Sequence, residues 1–396
     1  MALIQILQRQ AVEKSAFENV PPLVLSMSKG CWLFSEVDYT GQHPDYRLQN
    51  QFFPQYIMKG LKANCFLAWL TLFLGVVTSV DPDLDSEWLQ WNIKYKGAVQ
   101  KTRSLTRREI WEDNYNFIKD HNKRYNEGKE TYELGMNGFG DKTTDEFVEA
   151  THASSMARTP KSGSLVLSAA DLRQAASKLN VKSIDYRDMG YITPVEDQGF
   201  CGSCWAYSAT GALEAQWTKK TGKLIPLSKQ QLVDCSTPTG NKACIGGRPS
   251  LAYMYIMRNG GIQGEDTYPY VMEERSCGAS RSKNVVSVKD WRYVPPGDEQ
   301  AFEDALVTIG PIAVVIDTTT RKFQFYRKGI FYDQKCSIWK QSHAVVLMGF
   351  GTEHSEEYWT IKNSWGIYWG EEGYMRLAKN KQRHCGISQY GVVPFV

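Results

Sequence analysis

The middle of the chain reads Gln198-Gly-Phe-Cys201-Gly-Ser-Cys204-Trp205-Ala206 and holds two cysteines in a C-x-x-C arrangement. Taken alone, this arrangement is typical of a thioredoxin-like redox centre or of half a zinc site. The context weakens both interpretations, because the chain has no second C-x-x-C pair and no early βαβ pattern around this one. An apolar, helix-compatible run from Trp205 to Trp217 follows at once. We therefore expect Cys204 at a helix N-terminus, where the helix dipole and free amides stabilise a thiolate.

The number of cysteines supports a reactive thiol. The 396 residues include nine cysteines, of which Cys31 and Cys65 lie near the start and seven follow residue 200. Seven is three pairs and one left over, and in an oxidising compartment an odd thiol is either an intermolecular link or a reactive group. The rest of the composition is that of a globular chain of two or three domains. Its small net charge of +3 gives no indication of a nucleic-acid partner.

A nucleophilic thiolate needs an imidazole partner, a group that orients the imidazole, and donors for the oxyanion. Of the six histidines, His343 opens an apolar, strand-like run, and Asn363 ends another such run 20 residues later. Asn363 can accept a hydrogen bond from one imidazole nitrogen and so leave the other for the thiol. Trp365 stands beside Asn363, in a position to screen that bond from water. A histidine next to an apolar strand is more often structural, so this assignment depends on the residues occurring together.

The patterning changes from helical to extended along the C-terminal part. Ser228–Gln231 has the form of a capping-box start, and a helix from Pro249 to Met257 ends at Asn259-Gly-Gly. Four strand-like runs follow, at residues 311–317, 343–350, 357–363 and 372–378. We predict an α+β protein in which a helical lobe with Cys204 faces a barrel-like lobe with His343. The cleft between such lobes is where an extended substrate binds.

An apolar run at residues 65–80 reads CFLAWLTLFLGVVTSV and is preceded by Lys59 and Lys62. A basic start, an apolar stretch and small residues at its end predict a signal peptide over residues 58–80. The alternative, a membrane anchor, requires about 20 apolar residues, and this run is shorter. Because Met58 stands where an initiator would, we interpret residues 1–57 as an extension outside the working precursor. The chain has no N-x-[ST] sequon, so the predicted secretory route leaves a lysosomal and an extracellular destination both open.

Residues 81–180 form a separate block ahead of the cysteine-rich part. Five polar and apolar side chains recur at steps of four, three, four and four, which places them on one helix face. These are Arg107, Trp111, Asn114, Ile118 and Asn122. Because polar and apolar side chains alternate on this face, we predict that it packs against another part of the chain through buried hydrogen bonds. The alternative is a helix face exposed to solvent. A compact Gly135–Asp141 block follows, and from about residue 151 the composition is that of an exposed connector open to proteolysis. This is the organisation of a zymogen.

On these residues, the chain from about residue 85 to residue 396 resembles the papain family of cysteine proteases, in its cathepsin L-like branch. The resemblance is carried by QGFCGSCWAYSATGALE, SHAVVLMGFG and KNSWG, in that order, and by the helical stripe and the Gly135–Asp141 block. It implies a papain-like two-lobe fold over residues 181–396 and an α-helical inhibitory prodomain over residues 81–180, which crosses the cleft against the substrate direction. It also implies Cys204 as nucleophile, His343 as its ion-pair partner and proton donor, Asn363 as the orienting group and Gln198 as an oxyanion-hole donor.

The resemblance also implies three disulfides and a substrate-binding edge. The pairs are Cys201–Cys244, Cys235–Cys277 and Cys336–Cys385, which leave Cys204 as the odd thiol. With Cys201 committed to Cys244, a redox function of the C-x-x-C pair no longer applies. Gly246 and Gly247 resemble the edge that hydrogen-bonds the substrate backbone.

The sequence departs from the family pattern at three places. Arg103 replaces the first Glu of the helical motif, which bears on prodomain stability. Ser342 precedes the histidine where Asn or Asp is more common, which bears on the leaving-group side. The third place is the pocket for the side chain two residues before the scissile bond, with walls by resemblance at Pro249, Val315, Gln341 and Tyr390. Val315 stands where Ala is common and Tyr390 occupies the floor, so we expect Val, Leu or Pro there rather than Phe, Tyr or Arg. The alternative for Tyr390 is a packed C-terminal aromatic.

The predicted function is that of a cysteine endopeptidase zymogen, which hydrolyses peptide bonds in proteins after its propeptide is removed at acidic pH. The expected partners are protein and peptide substrates and the chain's own propeptide. We expect a monomer with no metal, no cofactor, no nucleic acid and, after signal removal, no membrane. The rival hypothesis is a non-catalytic binder, in which the pro-region inhibits other proteases and the C-terminal part is a scaffold. Degenerate members of such families usually lose the nucleophile or the histidine, and this chain keeps both.

Overall fold

The structure is a computed structural model that describes residues 23–28, 31–36, 80–96, 105–151 and 165–396. The chain divides into two compact units, Met1–Thr78 and Ser79–Val396. In the first unit, β1 (Leu23–Ser28) and β2 (Cys31–Glu36) form an antiparallel hairpin. Residues 58–79 of the predicted signal peptide and Arg103 lie outside the described residues.

The described part of the second unit contains nine α-helices. They are α1 (Asp85–Lys96), α2 (Leu105–Asn126), α3 (Thr144–Ala150), α4 (Ala169–Ala176), α5 (Cys204–Thr221), α6 (Lys229–Cys235), α7 (Pro249–Asn259), α8 (Glu299–Thr308) and α9 (Arg321–Gln324). Five of them start after a residue whose side-chain oxygen accepts a backbone N–H of the first turn, which satisfies a donor that the helix itself leaves open. The capping residues are Thr143, Ser168, Ser228, Asp298 and Thr320. Gly260 ends α7 in the left-handed conformation, as its position after Asn259 predicted.

A sheet of nine strands forms the second lobe. Its strands are β3 (Tyr132–Leu134), β4 (Ile184–Asp185), β7 (Asp290–Tyr293), β8 (Ile312–Ile316), β9 (Tyr326–Phe331), β10 (His343–Glu353), β11 (Glu356–Lys362), β12 (Tyr374–Ala378) and β13 (Gly391–Phe395). Their order is β3-β9-β12-β11-β10-β8-β13-β7, with β4 also paired to β10. Two short strands, β5 (Ile262–Gln263) and β6 (Asn284–Val286), pair separately. The four predicted strands correspond to β8, β10, β11 and β12.

The sheet topology brings two distant polar residues to the same end. β10 and β11 run antiparallel, and Val346 near the start of β10 pairs with Lys362 at the end of β11. His343 is the first residue of β10 and Asn363 is the residue after β11. Their side chains therefore project from the same end of the lobe.

The predicted stripe of the pro-region lies on α2 and docks through buried polar contacts. The side-chain amide of Asn114 donates to the carbonyls of Gly140 and Lys142, both at 2.9 Å. Asn122 donates to the carbonyl of Leu134 at 2.8 Å and accepts from its N–H at 2.9 Å. The prediction of a helix with buried hydrogen bonds is confirmed. The sequence analysis did not predict β3, by which the pro-region adds a strand to β9 of the following domain.

Two apolar cores lie on opposite faces of β8, whose alternate residues belong to one core or the other. One core packs α5 against α7 and includes Cys204 and Trp205. The other fills the sheet lobe and includes Trp365 together with Phe147 of the pro-region. Segregated helices on one side and a sheet on the other give the predicted α+β class.

One local prediction is wrong. Ser228 caps α6 as expected, because its side chain accepts the Gln231 N–H at 2.9 Å. The side chain of Gln231, however, donates to the Tyr255 hydroxyl at 3.0 Å and accepts from the Gln263 N–H at 2.8 Å. Because these core partners occupy Gln231, only half of the predicted capping box forms. No helix in the described ranges combines the length and apolarity needed to cross a membrane.

Candidate active site

Cys204 is the first residue of α5 and is 1% exposed. It takes part in none of the three disulfides, which join Cys201 to Cys244, Cys235 to Cys277 and Cys336 to Cys385, the pairs expected from the resemblance. Burial raises the pKa of the Cys204 thiol to about 11, although hydrogen bonding to backbone groups, including that of Ala344, acts in the opposite direction. The sulfur of Cys204 thus lies against the residue that follows His343.

His343 and Asn363 form a buried hydrogen-bonded pair. The Nε2 atom of His343 lies 2.7 Å from Oδ1 of Asn363, so Nε2–H donates to the amide oxygen. Within the described residues, Nδ1 of His343 is left with no hydrogen-bond partner. Burial lowers the pKa of His343 to about 4, and the Asn363 bond partly offsets this effect. The ring centroids of Trp365 and His343 lie 4.4 Å apart. Trp365 therefore lies where the sequence analysis expects a side chain that screens the His343–Asn363 bond from water.

Gln198 is buried beside this pair and is held by residues that the sequence analysis missed. Its Oε1 accepts from the Ser364 hydroxyl at 2.6 Å, and its Nε2 donates to the Cys201 carbonyl at 3.0 Å. The Tyr270 hydroxyl donates to the Gln198 carbonyl at 2.9 Å. Ser364 stands next to Asn363 in the KNSWG motif, which was the one available signal. Nothing in the sequence pointed to Tyr270.

The four residues predicted to wall a side-chain pocket are all buried. Val315 and Tyr390 belong to the same apolar core as Cys204, and the Val315 N–H donates to the Tyr390 carbonyl at 3.3 Å. The Tyr390 hydroxyl donates to Oγ of Ser250 at 3.0 Å, directly after Pro249 at the start of α7. Gln341 is 3% exposed, and its Oε1 has no hydrogen-bond partner among the described residues.

Gly246 and Gly247 lie half-buried in the segment that follows Cys244. A Cβ atom at Gly247 would approach the Trp205 ring and the Asn241 side chain to 2.6 Å. Only glycine therefore fits here without displacing the residue that follows Cys204. This close approach keeps the backbone of the segment against the start of α5.

The pro-region reaches the site through aromatic side chains. The rings of Phe139 and Phe147 pack edge-on against Trp365, with centroids 5.8 and 5.3 Å away. Asn137 donates to the carbonyl of Gln324 in α9 at 2.8 Å. The Gly135–Asp141 block and α3 therefore both supply a ring that meets Trp365 beside His343.

Ion pairs join acidic side chains of the pro-region to basic side chains around α9 and β9. Asp113 lies 2.6 Å from Arg321, and Glu130 lies 3.6 Å from Lys322. Glu133 on β3 contacts two cations, as its carboxylate oxygens lie 2.7 Å from Arg327 and 3.1 Å from Lys328. The pro-region supplies the acidic partner in all four contacts, so around α9 and β9 a negative pro-region surface faces a positive surface of the following domain.

One trio in the described residues has the spacing of a metal site. It consists of Cys336, His384 and Cys385, whose donor atoms lie within 4.8 Å of one another. The two cysteines are joined in a disulfide, so neither supplies the thiolate that a metal requires. These three residues are therefore a disulfide and a histidine next to it, and we do not interpret them as a metal site.

Two family models match the chain. The model described as papain family cysteine protease matches residues 180–395, and the model described as cathepsin propeptide inhibitor domain (I29) matches residues 88–147. The first match alone covers more than half of the 396 residues. The boundary between the two matches falls in the part of the chain that separates the pro-region from the lobes.

Relatives and solved structures match over nearly their whole length. Human cathepsin L2 is 39% identical over 340 residues, which cover 84% of this chain and 100% of the relative. Mouse cathepsin K is 42% identical over 332 residues, covering 82% of this chain and 99% of the relative. The structure of digestive procathepsin L 3 from Tenebrio molitor larval midgut matches with a TM-score of 0.71 and 35% identity, over 79% of this chain and 99% of that one. The recombinant stem bromelain precursor matches with a TM-score of 0.70 and 30% identity, over 79% and 99%.

Proposed function

Because the chain belongs to the papain family of cysteine proteases, we propose that Cys204 is its nucleophile, His343 the proton carrier and Asn363 the orienting group. The chain is the zymogen of a cysteine-type endopeptidase, with a propeptide inhibitor domain ahead of the peptidase domain. One observation carries the residue assignment. His343 bonds Asn363 through Nε2 and keeps Nδ1 for another partner, while the Cys204 sulfur lies against the adjacent Ala344 backbone.

The reaction follows from these positions. The Cys204 thiolate adds to the peptide carbonyl and forms a C–S bond, and the electron pair of the C=O bond moves to oxygen. Collapse of this intermediate breaks the C–N bond, and His343 gives its proton to the leaving amine. A water molecule then attacks the thioester while His343 takes up its proton. The acid product leaves and the Cys204 thiolate is restored.

Gln198 serves in this proposal as a donor to the oxyanion. Ser364 holds Oε1 of Gln198, which fixes the plane of the amide and the direction of Nε2. In the zymogen Nε2 donates to the Cys201 carbonyl, next to the backbone N–H groups at the start of α5. A developing negative oxygen beside Cys204 is a stronger acceptor than this carbonyl, since charge-assisted hydrogen bonds are roughly twice as strong as neutral ones.

The propeptide keeps the pair uncharged. Burial raises the pKa of Cys204 and lowers that of His343, and both changes oppose a thiolate–imidazolium pair. The propeptide contributes to this burial by packing Phe139 and Phe147 on Trp365. Its removal admits water to the cleft, and the two charges then stabilise each other.

Acid is the proposed trigger of activation. The propeptide contributes only carboxylates to the four ion pairs with Arg321, Lys322, Arg327 and Lys328. Asp and Glu side chains generally bind a proton as the pH falls through about 4, which weakens these attractions without affecting the apolar contacts. This surface favours release in an acidic compartment.

The remaining assignments concern the limits of the domains and the location. We propose residues 81–180 as propeptide and residues 181–396 as peptidase domain, in support of which the family models match residues 88–147 and 180–395. The apolar run at residues 65–80 supports entry into the secretory pathway. We propose that the protein is a monomer and that its destination is the lysosome or the outside of the cell. Gly246 and Gly247 are proposed to bind the substrate backbone, and Pro249, Val315, Gln341 and Tyr390 to form the side-chain pocket.

The test replaces each proposed group and a matched control. Cys204→Ser and His343→Ala are expected to abolish peptide hydrolysis at every pH, while both variants keep the propeptide bound. His354→Ala removes an exposed histidine on the loop after β10 and is expected to retain full activity. Activity is measured with a fluorogenic peptide after the propeptide has been removed by an added protease. Substantial turnover by His343→Ala would refute the assignment, and turnover by no variant, the wild type included, would favour a non-catalytic binder.

A further inference from the structure

Residues 165–180, called here the docked segment, lie between the two family matches, apart from Asn180, with which the second match begins. The inhibitor model ends at residue 147 and the peptidase model begins at residue 180. The docked segment nevertheless has a defined structure, which consists of an extended piece around Val166, the helix α4, and a turn that ends at Asn180. Its contacts are with β7 and α8 of the peptidase domain.

The extended piece adds to the edge of the large sheet. Val166 forms a parallel bridge with Tyr293, the last residue of β7. The Leu167 N–H donates to the Tyr293 carbonyl at 2.9 Å, and the Tyr293 N–H donates to the Leu165 carbonyl at 2.8 Å. Because β7 ends the strand order, the docked segment covers backbone groups that an edge strand would otherwise leave unpaired.

The helical piece packs an apolar face on α8. Leu172 is 6% exposed and lies in the same core as Phe302 and Ala305 of α8. Ser168 caps α4 by accepting the Asp171 N–H at 3.3 Å, which fixes the start of this short helix. A protease cleft binds an extended chain, so both pieces must detach and unfold before they are cut.

The docked segment and the inhibitory part of the propeptide are held by different forces. The inhibitory part meets the enzyme through the β3–β9 pairing and through aromatic rings, and in addition through four ion pairs whose carboxylates acid can protonate. The docked segment is held by Leu172 and by backbone hydrogen bonds, which do not titrate. One ion pair joins the segment to α8, between Arg173 and Asp304 at 3.9 Å. The other acidic side chains of α8 and β7 have partners outside the docked segment. Glu303 pairs with Lys379, and Asp290 of β7 pairs with Arg292. Glu299 accepts hydrogen bonds from Trp359, Asn380 and Arg383.

From this contrast we infer that the docked segment stays on the peptidase domain when the inhibitory part leaves. The N-terminus of the active enzyme then lies ahead of Leu165 rather than near Asn180–Ser183, where the domain boundary alone would place it. The inference rests on the proposed function, because it presupposes that acid converts the zymogen into an active protease. Retention would keep the segment close to the proposed pocket, because Tyr293, whose main chain bonds the segment, packs its ring edge-on against Tyr390. The two ring centroids lie 5.6 Å apart.

The experiment determines the composition of the acid-activated enzyme. Full-length zymogen is activated at low pH, the reaction is stopped with a thiol-alkylating inhibitor, and the product is weighed by native and by denaturing mass spectrometry. The native mass is expected to include residues 165–180. A nick within residues 177–180, with the segment still present in the native mass, also supports docking, because Leu172 and the Tyr293 bonds then hold it without a covalent link. Absence of the segment from the native mass overturns the inference.

Two leucines of the segment provide a matched pair of variants. Leu172→Ala removes the buried anchor, and Leu179→Ala removes a side chain that is 53% exposed. The active enzyme from Leu172→Ala is expected to lose the segment and to begin near residue 180, whereas Leu179→Ala should give the wild-type product. Equal products from both variants would show that docking does not protect the segment and would overturn the inference.

A second measurement covers the case in which Leu172→Ala does not fold. Hydrogen exchange at the Tyr293 amide of the active wild-type enzyme is expected to be as slow as in the zymogen, since the Leu165 carbonyl still accepts from it. A Tyr293 amide that exchanges fast only after activation refutes retention. Failure of the zymogen to gain any activity on acidification is a different result, which refutes the proposed function and is detected with the peptide assay.

Discussion

At the scale of single residues, the proposed specificity depends on two side chains with almost no exposed surface. Val315 is 1% exposed and Tyr390 is completely buried, and both pack in the core that contains Cys204. The Tyr390 hydroxyl is held by Ser250, so its ring stays in place. A pocket closed by a fixed ring has room for a short side chain and none for a long one.

Fluorogenic peptides that differ only at the residue two positions before the cleaved bond test this pocket. The wild-type enzyme should prefer Val, Leu or Pro to Phe, Tyr or Arg. Val315→Ala removes two methyl groups, and because a single carbon in a pocket contributes about 1–3 kcal/mol to selectivity, the kcat/KM for Phe relative to Leu should rise at least about tenfold. Val285→Ala, at a position 39% exposed and outside the proposed pocket, should leave the ratio unchanged. A wild-type preference for Phe or Arg contradicts the pocket.

Which site residues could be predicted depends on how local their signal is. The proposed roles of Cys204, His343 and Asn363 could be predicted, because each residue stands in a short motif whose residue types indicate its chemistry. The Ser364–Gln198 bond joins residues 166 positions apart, and the Tyr270–Gln198 bond spans 72 positions. Hydroxyl groups are common and bond to whatever the fold brings near, so their partners follow only from the three-dimensional structure.

At the scale of elements, inhibition depends on how β3 joins β9. Tyr132 pairs with Gly329, and the Leu134 main chain is held by Asn122 of α2. Glu133, between them, faces Arg327 and Lys328. Main-chain pairing sets the register of the propeptide, and we expect the charges to make the strength of its binding depend on pH.

Glu133→Gln should therefore imitate acid at this strand. It removes the charge but keeps the size of the side chain, and partly exposed ion pairs contribute about 0.2–1 kcal/mol each. We expect the variant zymogen to process about threefold to tenfold faster than the wild type at pH 6, with a smaller difference at pH 4, because carboxylates generally bind protons near that pH. Processing is followed by gel electrophoresis over time. Glu127→Gln is the control, because Glu127 pairs with Lys129 inside the propeptide, and an equal acceleration by that variant would contradict the mechanism.

Helices of the propeptide were predictable and its strand was not. The stripe on α2 repeats over several turns, so periodicity identifies it without knowledge of the partner. β3 has three residues and pairs with a strand almost two hundred positions later, so neither length nor alternation gives a signal. The docked segment was interpreted as part of a connector for a similar reason, since only Leu172 among its side chains is fully covered.

At the scale of the whole molecule, we expect acid to act on the buried imidazole as well as on the carboxylates. His343 has a pKa of about 4 in the closed zymogen, whereas an exposed histidine has a pKa near 6.5. Between these values an opened or unfolded chain binds a proton that the closed zymogen does not. The free energy that keeps the zymogen closed therefore falls as the pH is lowered from about 6.5 towards 4. His384, whose pKa is also lowered to about 4, adds the same trend to global unfolding.

The closed state predicts an unreactive thiol that activation makes reactive. A pKa of about 11 leaves roughly one Cys204 in ten thousand ionised at pH 7, against a few per cent for an exposed cysteine. Because the thiolate is the species that alkylates, we expect iodoacetamide to modify Cys204 at least about 100-fold more slowly in the zymogen than in the acid-activated enzyme at the same pH. Labelling is located by mass spectrometry of the peptide that contains Cys204. A zymogen of Phe139→Ala, which loses one of the rings packed on Trp365, should react at an intermediate rate. Equal rates in the zymogen and the activated enzyme would mean that the propeptide inhibits without suppressing the charge of the sulfur.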